Sequence, residues 1–274
     1  MIHIDGVLSK IDFMGGELTE IGRINCYGNG RVPQKWFLAE YGGINRLYYI
    51  HGGKGTYTVG AKTRPFREGF LYFTPYTANF KFYSDPDDGL IHTYADFELI
   101  PPVICGDILE YYPHGDAMSE AALGVFLSGA VQNDTNGRWH IDRLRRNPEL
   151  FALCMKSITY LVSHMAQVNG VVSVSDEIVI SVLEEMLANL GEPFSIADAA
   201  AARFIGTDSL IRRFRRVLGV TPYAYLKALR IRTAMYLIGD GKTLEEAAEA
   251  VGYADASSLS HAMGKTGGVA GKRV

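Results

Sequence analysis

Residues 210–219 read LIRRFRRVLG and place four arginines, Arg212, Arg213, Arg215 and Arg216, within five positions. A guanidinium fork can donate two hydrogen bonds at once to a guanine edge or to a phosphate. Clustered cations of this kind either meet a polyanion or line a solvated face. On a helical wheel Leu210, Phe214, Val217 and Leu218 gather on one side. Arg212 falls opposite them, with Asp208, Arg215 and Arg216 around it, while Arg213 flanks the apolar stripe. Such a helix, following another short helix across a tight turn, has the layout of a helix-turn-helix, whose second helix enters the DNA major groove. The chain as a whole is not basic, with 27 Lys+Arg against 30 Asp+Glu and a net charge of −3. Residues 192–274 hold 12 basic and 8 acidic residues, which leaves 15 and 22 for the rest. An acidic front and a basic back assign contact with a polyanion to the back alone.

The front offers a different chemistry. In HTYADF, alternation puts His92, Tyr94 and Asp96 on one face of a strand. Aromatic surfaces with a few hydrogen-bonding groups suit a neutral polar ligand such as a sugar. Trp36 is a candidate stacking surface and Tyr48 a candidate lining residue. The plain alternative for these rings is a filled barrel interior. Arg31 and Lys35 would serve an acidic ligand, or simply meet solvent. A metal-dependent barrel enzyme would need paired histidines followed by a carboxylate. His51 is followed by GGKGTY, His92 by Thr93-Tyr94, and His114 lies in YYPHGD, so that ligand set is missing. Cys26, Cys105 and Cys154 are scattered and odd in number, which predicts reduced thiols in a cytoplasmic protein. No apolar run approaches 20 residues, so no membrane-spanning helix is expected. MIHIDGVLSKIDF lacks the pattern of a signal peptide.

These groups need elements to hold them. WFLAEY, RLYYIH, GTYTVG, FLYFTP, NFKFYS and HTYADFEL are short β-prone runs separated by turn chemistry, which predicts an antiparallel barrel or sandwich. DAMSEAALGVFLSGAVQ reads as a helix. Asn147-Pro148 begins another, running to about Gln167, with Leu150, Leu153, Cys154, Ile158, Leu161, Val162 and Met165 on its apolar side. A third starts near Ser175 through DEIVISVLEEMLANL, with Gly191 placed to end it. The joint GEPFS marks a boundary between domains 1–190 and 191–274. Beyond it the chain is helical. IADAAAARF with LIRRFRRVLG is echoed, after one long helix, by LEEAAEAVGY with LSHAMGKTGG. Two groove readers on one rigid helix would enter successive major grooves about 34 Å apart.

SLIRRFRRVLGVTPYAYLKALRIRTAMYLI followed by TLEEAAEAVGYADASSLSHAM resembles the DNA-binding domain of the AraC/XylS family of bacterial transcription regulators. Leu210, Phe214, Gly219, Thr221-Pro222, Tyr225-Leu226, Arg230, Ala234, Ala247-Ala248, Gly252-Tyr253 and Leu259 carry the match, over about residues 192–268. RLYYIHGGKGTYTVG, REGFLYFTP and HTYADFEL are similar in order to the cupin-like sensory domain of the sugar-responsive members. The resemblance implies an α+β chain, with an N-terminal cupin-like β-barrel and following helices, then an all-α domain with two helix-turn-helix motifs.

The resemblance further implies a sequence-specific regulator of transcription, an activator in many relatives, controlled by a sugar or related metabolite in the barrel. Its base-facing positions would be Asp208, Ile211 and Arg212 in the first reader and Ser257, Ser260 and His261 in the second. Arg215, Arg216 and Lys265 add cations. His92 and Tyr94 fall at pocket-lining places, with Phe82 near another. Double-stranded DNA, the effector, a second copy of the chain and RNA polymerase are the implied partners, with no cofactor or metal. Pairing of the front domain is expected through Ile178, Val182, Leu183 and Met186. The second reader departs from the pattern. Leu259 stands where an aromatic is usual, Met263 replaces the second core Phe, and Gly264 and Gly271 occupy basic and proline places. The first reader should therefore dominate. The rival readings are a cupin-type enzyme fused to a helical module and a regulator acting through a protein partner.

Overall fold

A computed structural model describes residues 20–31, 38–41, 45–75, 78, 80–100, 103, 105–129, 147–171, 176–239 and 241–265. Trp36 and Lys35 lie outside the described residues, as do Gly268 and Gly271.

The strands are β1 (Glu20–Arg31), β2 (Leu38–Tyr41), β3 (Asn45–Gly52), β4 (Gly55–Val59), β5 (Lys62–Pro65), β6 (Leu71–Thr74), β7 (Phe80–Ser84), β8 (Ile91–Ile100) and β9 (Leu109–Tyr111). They form two antiparallel sheets, ordered β1-β8-β3-β6-β9 and β2-β7-β4-β5. The alternation of β3, β6 and β8 explains why the first sheet is buried on both sides. Tyr48, Tyr72 and Tyr94 point into a core shared with Tyr57, Phe80 and Phe82 of the second sheet. Leu47, Phe73, Ala95, Phe97 and Leu99 point the other way, onto two helices. Those helices are α1 (Ala117–Gly129) and α2 (Pro148–Val168). Asn147 caps α2 through Leu150 N, with Pro148 at its first position, as the sequence predicts. Leu153 corrects the predicted apolar side, for it is exposed while Cys154, Ile158, Leu161, Val162 and Met165 are buried.

The remaining helices are α3 (Glu177–Ala188), α4 (Ile196–Ala201), α5 (Thr207–Leu218), α6 (Pro222–Gly239), α7 (Leu244–Ala250) and α8 (Ala256–Lys265). Ser195 caps α4 through Asp198 N. Thr243 and Glu246 form a reciprocal capping box on α7. Gly219 ends α5 in the left-handed conformation at φ 73°. Gly206 starts α5 with no side-chain cap bond.

The predicted break at residue 190 does not coincide with a break in packing. Val179, Val182, Leu183 and Met186 of α3 share one core with Leu210, Phe214, Leu226, Leu229 and Leu259. The apolar face expected to pair two chains is therefore consumed inside the chain. Val182, Leu183 and Met186 are at most 1% exposed, and Ile178 packs at the edge of the same core.

Candidate nucleic-acid interface and effector site

Helix α5 divides as its sequence periodicity predicts. Leu210, Phe214, Val217 and Leu218 are buried, while Asp208, Arg212, Arg215 and Arg216 are exposed and Ile211 is half-buried. The four arginines are not equivalent. Arg213 Nη1 and Arg216 Nη2 donate to Asp176 Oδ2 at 2.9 and 2.7 Å. Arg212 and Arg215 form no ion pair with the described residues. In the second unit Ser257, Ser260 and His261 are exposed on α8, and Leu259 is buried. Asp255 starts α8 by accepting from Ser258 N at 2.6 Å. Met263 is only half-buried where Phe214 is fully buried. Lys265 closes α8.

Arg230 is engaged within the chain. Its guanidinium donates to the carbonyls of Leu190 at 2.9 Å, Glu192, and Gly252 at 3.4 Å, tying the joint to the second unit. Gly252 has φ 75°, and a Cβ there would stand 2.5 Å from the Gly191 carbonyl oxygen, which only glycine avoids.

In the inter-sheet core Tyr48 and Tyr94 are paired directly across β3 and β8. His92 lies 5.5 Å from the Tyr48 ring and 5.2 Å from the Tyr94 ring, and Phe82 stacks 6.3 Å from Tyr48. Four predicted effector residues, Tyr48, Phe82, His92 and Tyr94, thus share one cluster. Arg46 lies over two of its rings, 5.5 Å from that of Tyr48 and 5.0 Å from that of Tyr94. The Arg46 guanidinium makes a two-pronged pair with Asp96, one prong at 2.6 Å. Arg46 carried no signal in the sequence, because its importance lies in a cross-strand partner 50 residues away.

Burial pushes the His92 imidazole down to about 3, and Arg46 and His51 add to the effect. The folded chain thus holds His92 neutral, whereas an unfolded chain titrates it near 6.5. Between these values the unfolded state binds more protons, so this contribution is complete above pH 6.5 and is lost as pH falls. Between pH 6.5 and 5 the loss should approach ~2 kcal/mol. His92→Gln should have a correspondingly flatter pH dependence in urea unfolding, and parallel curves would count against a neutral buried imidazole.

Strand β8 continues past the rings. On the face that carries His92 and Tyr94 it next presents Asp96 and Glu98, exposed by 0% and 1%. Both reach α6. Arg232 Nη2 and Nε donate to Glu98 Oε1 at 2.6 and 3.2 Å, and the Tyr236 hydroxyl donates to Asp96. The spacing matches physically. Residues four apart on a helix are separated by about 6 Å, and alternate strand residues by about 6.6 Å. Two rungs therefore join α6 and β8 running in opposite directions. Tyr236 also packs against the inter-sheet core. Among the described residues no three or more His, Cys, Asp or Glu side chains are placed to hold a metal ion, and no helix is long and apolar enough to cross a membrane.

A helical unit with two exposed short helices, carried behind a two-sheet domain, has the arrangement expected of paired helix-turn-helix motifs. The comparisons agree. Residues 199–270 match the family model described as a helix-turn-helix domain. This region is an AraC-type helix-turn-helix domain. The chain shares its overall fold with ToxT of Vibrio cholerae. An apo form of ToxT carrying one substitution superposes with TM-score 0.54 at 11% identity, covering 90% of this chain and 92% of that one. ToxT bound to an unsaturated fatty acid gives TM-score 0.53 at 12% identity, over 91% and 89%. ToxT bound to (E)-4-(8-methylnaphthalen-1-yl)but-3-enoic acid gives 0.57 at 10% identity, over 90% and 94%. No curated protein matches the chain in sequence.

Proposed function

We infer that this chain is a cytoplasmic transcription regulator whose DNA binding responds to a small molecule held in the two-sheet domain. One observation carries the reading. A single face of β8 bears His92 and Tyr94 within the ring cluster, then Asp96 and Glu98 on the helix that joins the two DNA-binding units. An effector that moves the first pair acts on the second through one continuous strand. Asp96 is the shared element, since Arg46 over the rings and Tyr236 on α6 both bond it. The Nδ1 atom of His92 is buried with no hydrogen-bond partner among the described residues, which supports a ligand there.

The preferred effector is a sugar or related metabolite, stacked on rings and oriented by His92, with Tyr48, Phe82 and Tyr94 lining the site. Arg46 favours a second reading, a carboxylate ligand of the kind bound in two of the similar ToxT structures. A melting screen against sugars, sugar acids and fatty acids separates the two. A ligand at 100 times its Kd adds about 2.7 kcal/mol of apparent stability. Tyr94→Ala should abolish the shift while the chain still folds. An unchanged shift would remove Tyr94 from the site, and no shift from any class would count against the effector reading.

Pairing into a homodimer and contact with RNA polymerase belong to the same reading. The apolar stripe of α3 is committed to the helical core, which favours a pairing surface elsewhere, and Met118 of α1 and Leu153 of α2 are exposed apolar residues on the front domain. Sedimentation of the full chain, with Leu153→Glu as the disrupting variant, tests that surface. A variant that sediments like the wild-type dimer would place the contact away from Leu153.

A further inference from the structure

We propose that Asp176 restrains the charge of the first reading helix, limiting its attraction to DNA of any sequence and so raising its selectivity. The proposal rests on the DNA-binding reading of α5 and adds to it a residue outside both helix-turn-helix units.

Asp176 lies at the start of α3, which is packed into the same core as α5. Its side chain is 5% exposed. One oxygen accepts from Val179 N and caps α3, while the other takes both Arg213 and Arg216. One negative charge is thus fixed between two of the four arginines of α5. Burial alone would raise the pKa of this carboxyl. The Val179 N–H and the two guanidiniums outweigh burial and hold it below its ordinary value, so it stays ionised at neutral pH.

The residue type is informative. Asparagine caps a helix about as well as aspartate. Capping therefore does not require the charge, and the charge is what the arginines meet. Arg216 is 69% exposed and within reach of solvent and of a phosphate, yet its Nη2 is already engaged. Each cation that meets a phosphate releases counterions and steepens the salt dependence of binding by about 0.9. That gain is the same for every sequence. A carboxylate that occupies Arg213 and Arg216 removes part of this indiscriminate attraction. It leaves Arg212 and Arg215, which no described carboxylate engages, to supply the contacts of α5.

The test uses the full chain with Asp176→Asn, which keeps the cap and the shape and removes the charge. The probe is a scrambled duplex of about 30 base pairs, long enough for two successive major grooves. At about 50 mM salt the variant should bind it several-fold more tightly than wild type, with a salt slope steeper by about one. On an Arg216→Ala background the same substitution should give a smaller gain, because only Arg213 is then released. Asp176→Ser, also a neutral cap, should repeat the gain and guards against an effect peculiar to Asn. Unchanged or weaker binding by both neutral variants, with melting temperatures near wild type, would overturn the restraint. A gain that persists undiminished without Arg216 would overturn the role given to that pair. A wild-type chain that binds no duplex at low salt would overturn the DNA-binding reading itself, and the restraint with it.

Discussion

Glu98→Leu should destabilise the full chain by about 3–5 kcal/mol, because it leaves the Arg232 guanidinium buried without its carboxylate. Arg232 is 4% exposed and Glu98 1%, and the pair joins two parts of the chain 134 residues apart. A surface ion pair would be worth at most about 1 kcal/mol, so the size of the loss reports burial. Arg232→Met should cost a similar amount for the mirror-image reason. The double variant should lose much less than the sum of the two, since removing both charges removes the desolvation cost as well. Urea unfolding of the four chains measures the cycle. A loss below about 1 kcal/mol from either single change would show that the pair does not grip α6. Tyr236→Phe, which removes one hydroxyl from the second rung, should cost about 1 kcal/mol.

The second large effect is expected on DNA. Arg212→Ala should weaken binding to a specific site by roughly tenfold or more and relax selection at one base pair, since a base-contacting arginine supplies about 1–3 kcal/mol of discrimination. Arg212 is exposed on the side of α5 opposite Leu210 and Phe214. On a common wheel His261 of α8 takes the place of Arg212, and Gly264 that of Arg215. An imidazole lacks the two-pronged guanidinium fork, and glycine offers no side chain at all. His261→Ala should therefore cost much less than Arg212→Ala. Binding isotherms on a selected site and on scrambled DNA, at several salt concentrations, separate base reading from phosphate attraction. Equal losses from the two variants would sink the asymmetric model. No loss from either would remove both positions from the interface.

Local rules settled much of this molecule. The period of LIRRFRRVL placed Leu210, Phe214, Val217 and Leu218 inside and Arg212 outside, because a helix of this length has one buried stripe. Asn147, Ser195 and Gly219 punctuated their helices as their side-chain and backbone chemistry requires. Alternation in HTYADF put His92, Tyr94 and Asp96 on one face, and the structure keeps them there with Glu98 next in line. Short, polar or irregular strands carried too little pattern to be recognised, and β1 (Glu20–Arg31), whose pairing with β8 is interrupted by two register shifts, β5 (Lys62–Pro65) and β9 (Leu109–Tyr111) were missed for that reason.

Tertiary structure decided which partner each surface found. The stripe of Val182, Leu183 and Met186 is apolar whether it pairs two chains or closes a domain core, and periodicity cannot separate these outcomes. Folding gave it to the DNA-binding unit. Arg46, Asp176, Arg232 and Tyr236 look like ordinary surface residues in the sequence. Their roles come from contacts made 37 to 140 residues away, with Arg213 and Arg216, Asp96, and Glu98. A charge is stabilised by whatever opposite charge or dipole lies within a few ångströms, and only the folded chain fixes that neighbour.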